Sequence, residues 1–275
     1  MVFRQNKNGH SIYGNYDDPS ISVHSWFHSF CLVSDDILLW LYQKKQLRAG
    51  LKTNTLLLCG AIACPLFIIA VLIEGAVRPN YSSVLYPLSS LSIGDTGWTQ
   101  ISNFISTGIL LVAFSFGLKK VCNSDNEKFR GPLLIRLVGV GLIGAGIFIT
   151  DPIYGYPTDK TLALRQFTFH GHLHDGFSMF VFICLPWACF VFRKYFITKD
   201  KKDWANYSTF TGYAMIAAFI ITSMGFKQLS GFVNYAGLFQ GICIAIGWTW
   251  LMLLSLHFVK IQLDRDNNET KTTNR

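Results

Sequence analysis

Six apolar stretches, each long enough to cross a bilayer as a helix of about 17 to 25 residues, divide residues 53–259 into spans separated by short polar segments. They lie at Thr53–Val77, 101–118, 132–150, 173–192, 207–226 and 236–259. Pro186 interrupts the fourth and the fifth is rich in Thr, Ser and Gly; both features are tolerated where neighbouring helices satisfy the freed polar groups. The pattern predicts an all-α fold, a polytopic membrane helix bundle of six transmembrane helices. In the third span Gly139, Gly141, Gly144 and Gly146 clear side chains from both faces. Small residues let helices approach closely in lipid, so this helix is expected to be central.

Lys and Arg set the orientation, because cytoplasmic loops retain them. One set of loops carries Lys44, Lys45, Arg48, Lys52, Lys119, Lys120, Lys128, Arg130, Arg193, Lys194, Lys199, Lys201, Lys202, Lys260, Arg265, Lys271 and Arg275. The alternate loops carry only Arg78, Lys160, Arg165 and Lys227. An N-in/C-in topology follows. Residues 1–52 are then a cytoplasmic N-terminal tail, 53–259 the membrane domain and 260–275 a cytoplasmic C-terminal tail. Within the first tail, 26–43 places apolar residues around Asp35 and Asp36. It reads either as an interfacial helix or as an extension from an early start codon. The N-terminus lacks the basic-then-apolar order of a signal peptide, so the first span is expected to serve as its own insertion signal.

Composition agrees with this picture. Only 15% of residues are charged, against about a quarter in soluble domains. The net charge of +8 resides in short clusters between spans, and no nucleic-acid motif is present, so membrane lipids rather than nucleic acid are the expected partners. Seven cysteines without a CxxC pair indicate neither a zinc ribbon nor a disulfide framework. A multi-pass protein of the plasma (cytoplasmic) membrane is expected.

Ionisable and amide side chains near spans are costly in lipid, and here they gather on the extracytoplasmic half. Glu74 and Arg78 are spaced for an i,i+4 ion pair. Gln100, Asn103 and Thr107 fall on one face of the second span. Asp151 follows the glycine-rich helix, while His170, His172, His174 and Asp175 precede the fourth span. If that helix starts a turn early, His170, His174 and Ser178 share a face. Two imidazoles four residues apart can bind a metal, with Asp151 or Asp95 as oxygen ligand. The alternative is that the histidines hydrogen-bond loop carbonyls. Glu74, Arg78, Asp95, Asn103, Asp151, His170 and His174 are expected to converge at the outer mouth of the bundle.

Several motifs together resemble one family. They are Glu74-Gly75, Arg78-Pro79 and Tyr81; Leu88-Ser89-Ser90-Leu91-Ser92; Gly94-Asp95, Gly97-Trp98, Gln100 and Asn103-Phe104; Asp151-Pro152, Gly155-Tyr156-Pro157; His170-Gly171, His174; and Ala236-Gly237-Leu238 with Gln240. This run over 53–259 resembles the DUF998 family of multispanning membrane proteins of unassigned function. Gly241 stands where the family often has an arginine. The resemblance implies a fold and adds Gln240 to the candidate positions, but implies no reaction.

Three functions are weighed, with enzyme status left open. The first is a non-catalytic binding module or accessory whose polar cluster binds a molecule or locks loops. The second is a metal-dependent intramembrane hydrolase acting on lipid or amide bonds. It would use His170, His174 and Asp151 around zinc, the only cofactor considered, and loosely resembles the alkaline-ceramidase and adiponectin-receptor superfamily. The third is a small-molecule transporter.

Overall fold

The computed structural model describes residues 53–122, 129–153, 156–157, 168–227 and 229–273. The reading of 26–43 as an interfacial helix lies outside them. Among the described residues there are six α-helices: α1 (Thr53–Val77), α2 (Trp98–Cys122), α3 (Gly131–Ile147), α4 (Phe169–Thr198), α5 (Lys202–Phe226) and α6 (Ala236–Thr273). Five are long and apolar enough to cross a membrane; α3, at 17 residues, is apolar but shorter. It ends at Ile147 rather than at residue 150, where Phe148 turns to extended backbone while its N–H still bonds the Gly144 carbonyl.

Each helix packs on its chain neighbours, and α1 also packs on α6, which closes a six-membered ring. The glycine-rich α3 is therefore not central: it occupies one place in the ring, packed chiefly between α2 and α4. Its glycines shorten the approach to these two neighbours. A Cβ on Gly108 would lie 2.6 Å from the Gly139 carbonyl oxygen, and one on Gly139 would lie 2.7 Å from that of Gly108. Backbone meets backbone there, and any side chain would part the α2–α3 seam.

The two ends of the ring are filled differently. Toward the end that carries Lys119, Lys120, Arg193, Lys194 and Lys260, aromatic rings close the interior. Phe192 meets Trp250 at 5.6 Å and Phe258 at 6.1 Å between ring centres, and all three are fully buried. The Trp250 indole N–H donates to Ser208 Oγ at 3.0 Å, and the Ser255 hydroxyl donates to the Leu57 carbonyl at 2.6 Å, tying α6 to α5 and α1. Buried polar groups with partners cost little, whereas orphaned ones cost about 1–3 kcal/mol. The opposite end, where the histidines lie, is not filled.

Candidate functional site

A cavity of about 380 Å³ opens inside the ring at the histidine end, and every helix contributes to its wall. Its deeper part is apolar: Phe67 of α1, Phe104 of α2, Leu142 of α3, Phe182 of α4, Phe219 of α5 and Ile244 of α6. Ile244 lies eight residues inside α6 and Phe67 ten residues inside α1. At 1.5 Å per residue these two floor residues are about 12–15 Å from their helix ends, roughly one leaflet of a 30 Å hydrocarbon core. Above it come His174, Ser178, Thr222, Ser223 and Gln240, and the charged Asp151, Asp175 and Lys227 also line the cavity.

The polar part is built by three local devices. Thr168 is the N-cap of α4: its side-chain oxygen accepts from the Gly171 N–H at 3.0 Å, a preferred way to satisfy a first-turn donor. The Asp151 carboxylate, arriving from the end of α3, accepts the Thr168 N–H at 2.9 Å and its hydroxyl at 2.6 Å. A negative group at a helix N-terminus is also favoured by the helix dipole. Gly171 makes this possible, because a Cβ there would fall on the Asp151 carboxylate.

His174, one turn further, is buried at 2% exposure. Its Nδ1 lies 2.9 Å from the Ala145 carbonyl and 2.8 Å from that of Phe148. Both partners are acceptors, so Nδ1 carries a proton, and in the neutral ring Nε2 is left as an acceptor. The ring thereby caps the otherwise unpaired last carbonyls of α3.

The third device is the strap between α1 and α2. Arg78 Nη2 lies 3.8 Å from Glu74 Oε2, as the i,i+4 spacing predicts. The same guanidinium donates to the carbonyls of Ile93 at 3.1 Å, Leu91 at 2.8 Å and Thr96 at 3.1 Å. Gln240 Oε1 accepts the Leu88 N–H at 2.9 Å, pinning the strap to α6. Tyr81, Tyr86 and Tyr156 cluster with ring centres 5.3–6.1 Å apart. The Tyr81 hydroxyl reaches the carbonyls of Tyr86 and Pro87 at 3.3 Å, and burial pushes its phenol far above the ordinary range.

The nine sequence-derived positions therefore separate. Asp151, His174 and Gln240 line the cavity, whereas Glu74 and Arg78 hold the strap beside it. Gln100 and Asn103 form a buried relay toward α1: Asn103 Nδ2 donates to the Phe67 carbonyl at 3.3 Å and to Gln100 Oε1 at 3.2 Å, and Thr107 donates to Asn103 Oδ1 at 3.4 Å. Asp95 and His170 are exposed, and His170 makes an edge contact with the Phe148 ring at 5.6 Å.

α4 does begin early enough to put His170 and His174 on one face, yet the possible metal ligands do not gather. The Asp151 carboxylate is bound to Thr168 and His170 is exposed, which leaves His174 Nε2 without a second ligand beside it among the described residues. Among the described residues no three His, Cys, Asp or Glu side chains group to hold a metal ion. Phe182, Phe219 and Thr222 are cavity residues that the sequence did not mark, because within an apolar span they read as packing.

No curated protein and no solved structure matches the chain. The family model described as "Protein of unknown function (DUF998)" matches residues 61–257, a stretch that runs from within α1 to the last turns of α6's apolar part. With that match and its apolar helices, the chain is a multi-pass integral membrane protein belonging to the DUF998 family.

Proposed function

We propose that this is a binding protein of the plasma (cytoplasmic) membrane, with six spans and both ends cytoplasmic, whose cavity holds a small amphipathic molecule in the outer leaflet. The cavity carries this reading. It has an apolar floor at mid-membrane depth, polar groups above, and a volume within the range of about 300–1,000 Å³ usual for small-molecule sites. The excess of Lys and Arg at the closed end supports the orientation. An even number of helices in sequential packing returns the chain to the side on which it began.

Binding is favoured over metal-dependent hydrolysis because the Asp151 carboxylate is held by Thr168, His170 is exposed, and among the described residues no three His, Cys, Asp or Glu side chains group around His174 Nε2. It is favoured over transport because Phe192, Trp250 and Phe258 fill the opposite end of the ring. The test is native mass spectrometry of the purified protein, compared with a variant in which Ser178→Trp fills the cavity. The parent should carry a bound amphiphile that the filled variant loses while keeping its thermal transition. Equal occupancy in both would refute the reading.

A further inference from the structure

Which amphiphile fits is constrained by hydrogen-bond polarity at the level where its head would lie. The cavity wall there offers His174, Ser178, Thr222 and Gln240. Since Nδ1 of His174 is committed to two carbonyls, the ring atom left for a ligand is Nε2, an acceptor in the neutral ring. Thr222 is 1% exposed, and its hydroxyl has no partner among the described residues. Such a group is either compensated by what occupies the cavity or remains costly. Gln240 has given its Oε1 to Leu88, so its amide N–H₂ is what it can present.

One acceptor, one hydroxyl and one amide donor call for a head that has both an O–H and a carbonyl. An ionised carboxylate or a phosphodiester has no hydrogen for Nε2 and would bring its charge against that lone pair. Charge points the same way. Among the described lining residues the carboxylates Asp151 and Asp175 outnumber the one Lys227, with Asp175 and Lys227 both exposed and Asp151 half-buried.

The wall also suggests the route. Met179 of α4 lines the cavity and is 38% exposed. Phe219, Thr222, Ser223 and Phe226 of the neighbouring α5 line the same space. Both helices thus supply wall at this level, and their seam is the side on which a single acyl chain would enter.

We propose, resting on the binding reading above, that the ligand is an uncharged single-chain acyl lipid of the monoacylglycerol type. Its hydroxyl donates to His174 Nε2, its carbonyl accepts from Gln240, and Thr222 completes the ring of bonds around the head. The test holds the chain constant and varies the head. Radiolabelled monoolein is bound to the protein in nanodiscs and displaced by unlabelled monoolein, oleate or oleoyl lysophosphatidate at neutral pH.

Monoolein should compete at least ten-fold better than either anion. Thr222→Val should weaken it about ten-fold and Thr222→Ser should restore it, with melting temperatures unchanged. Should Thr222→Val fail to fold, the ranking of heads on the parent chain decides alone. An anion that competes as well as monoolein overturns the ligand class while leaving the cavity reading intact, as does a folded Thr222→Val variant of parental affinity. Failure of all three to bind overturns both.

Discussion

Gly171 and Asp151 form a pair whose coupling can be read as a change of sign. In the parent chain the carboxylate occupies the space where a Cβ on residue 171 would be, so Gly171→Ala must expel it. Expulsion loses the bonds at 2.9 and 2.6 Å from Thr168. Bonds to a charged group contribute about 1.5–3 kcal/mol each when buried. Both of these are solvent-exposed, so about 1–2 kcal/mol in total is the reasonable discount. In an Asp151→Ala background that space is free. Gly171→Ala then only exchanges glycine for alanine within a helix, a gain of about 0.5–1 kcal/mol. The helix gain is common to both backgrounds, so the two effects of the same substitution should differ by the lost bonds alone, about 1–2 kcal/mol, beyond the additivity error of about 0.5 kcal/mol for independent sites. At roughly 2–4 °C per kcal/mol, differential scanning fluorimetry in detergent should show Gly171→Ala lowering the transition by about 1–3 °C in the parent, since the helix gain offsets part of the loss. In the Asp151→Ala chain the same change should raise it slightly. Equal shifts in the two backgrounds would refute the argument that Gly171 exists to admit this carboxylate.

His174→Leu strands the carbonyls of Ala145 and Phe148 and should cost about 2–4 kcal/mol. His170→Ala loses one ring contact and should stay within about 0.5 kcal/mol; the same melting assay checks both, and a reversed order would show that the wrong histidine has been assigned to the α3 cap. Tyr81 has its phenol pushed up by burial, so its contribution to stability is complete below the ordinary value of about 10 and is lost as pH rises above it. Tyr81→Phe should therefore flatten the alkaline fall in stability, and an unchanged profile would exclude Tyr81 as its source. For topology, an impermeant thiol reagent on intact cells should label Thr158→Cys and spare Asp125→Cys; labelling of the latter would reverse the orientation.

How much of this was legible beforehand varied with the kind of partner each residue has. The bounds of α1 coincide with those the sequence predicts, Thr53–Val77, where a long apolar run is flanked by Thr53-Asn54-Thr55 and closed by Arg78-Pro79. The runs within α2 and α4 are shorter than the helices, because hydropathy stops at the first charges while backbone bonding continues to Cys122 and Thr198. The Glu74–Arg78 pair is written in its spacing. The three carbonyls that Arg78 also holds are not, since backbone acceptors leave no mark on sequence and become neighbours only when the strap folds over. His174 was marked, with carbonyl bonding as one of its two readings, but which carbonyls it holds was not legible for the same reason: they lie 26 and 29 residues away. The cavity is a property of the ring as a whole, and Thr222 becomes distinctive only when its surroundings are known. Gln240 was marked by family likeness alone.

The closing contact between α1 and α6 has a consequence for how the protein is made. Helices leave the ribosome in order, and the Ser255–Leu57 bond joins residues 198 positions apart. Until the last helix emerges, α1 presents an unsealed flank, and the strap residue Leu88 lacks the Gln240 amide that holds it. Every nascent intermediate is an open arc. Quality control in the membrane can thus distinguish finished from truncated chains by one seam, and a chain that stops before α6 should be degraded rather than accumulate as a partial bundle.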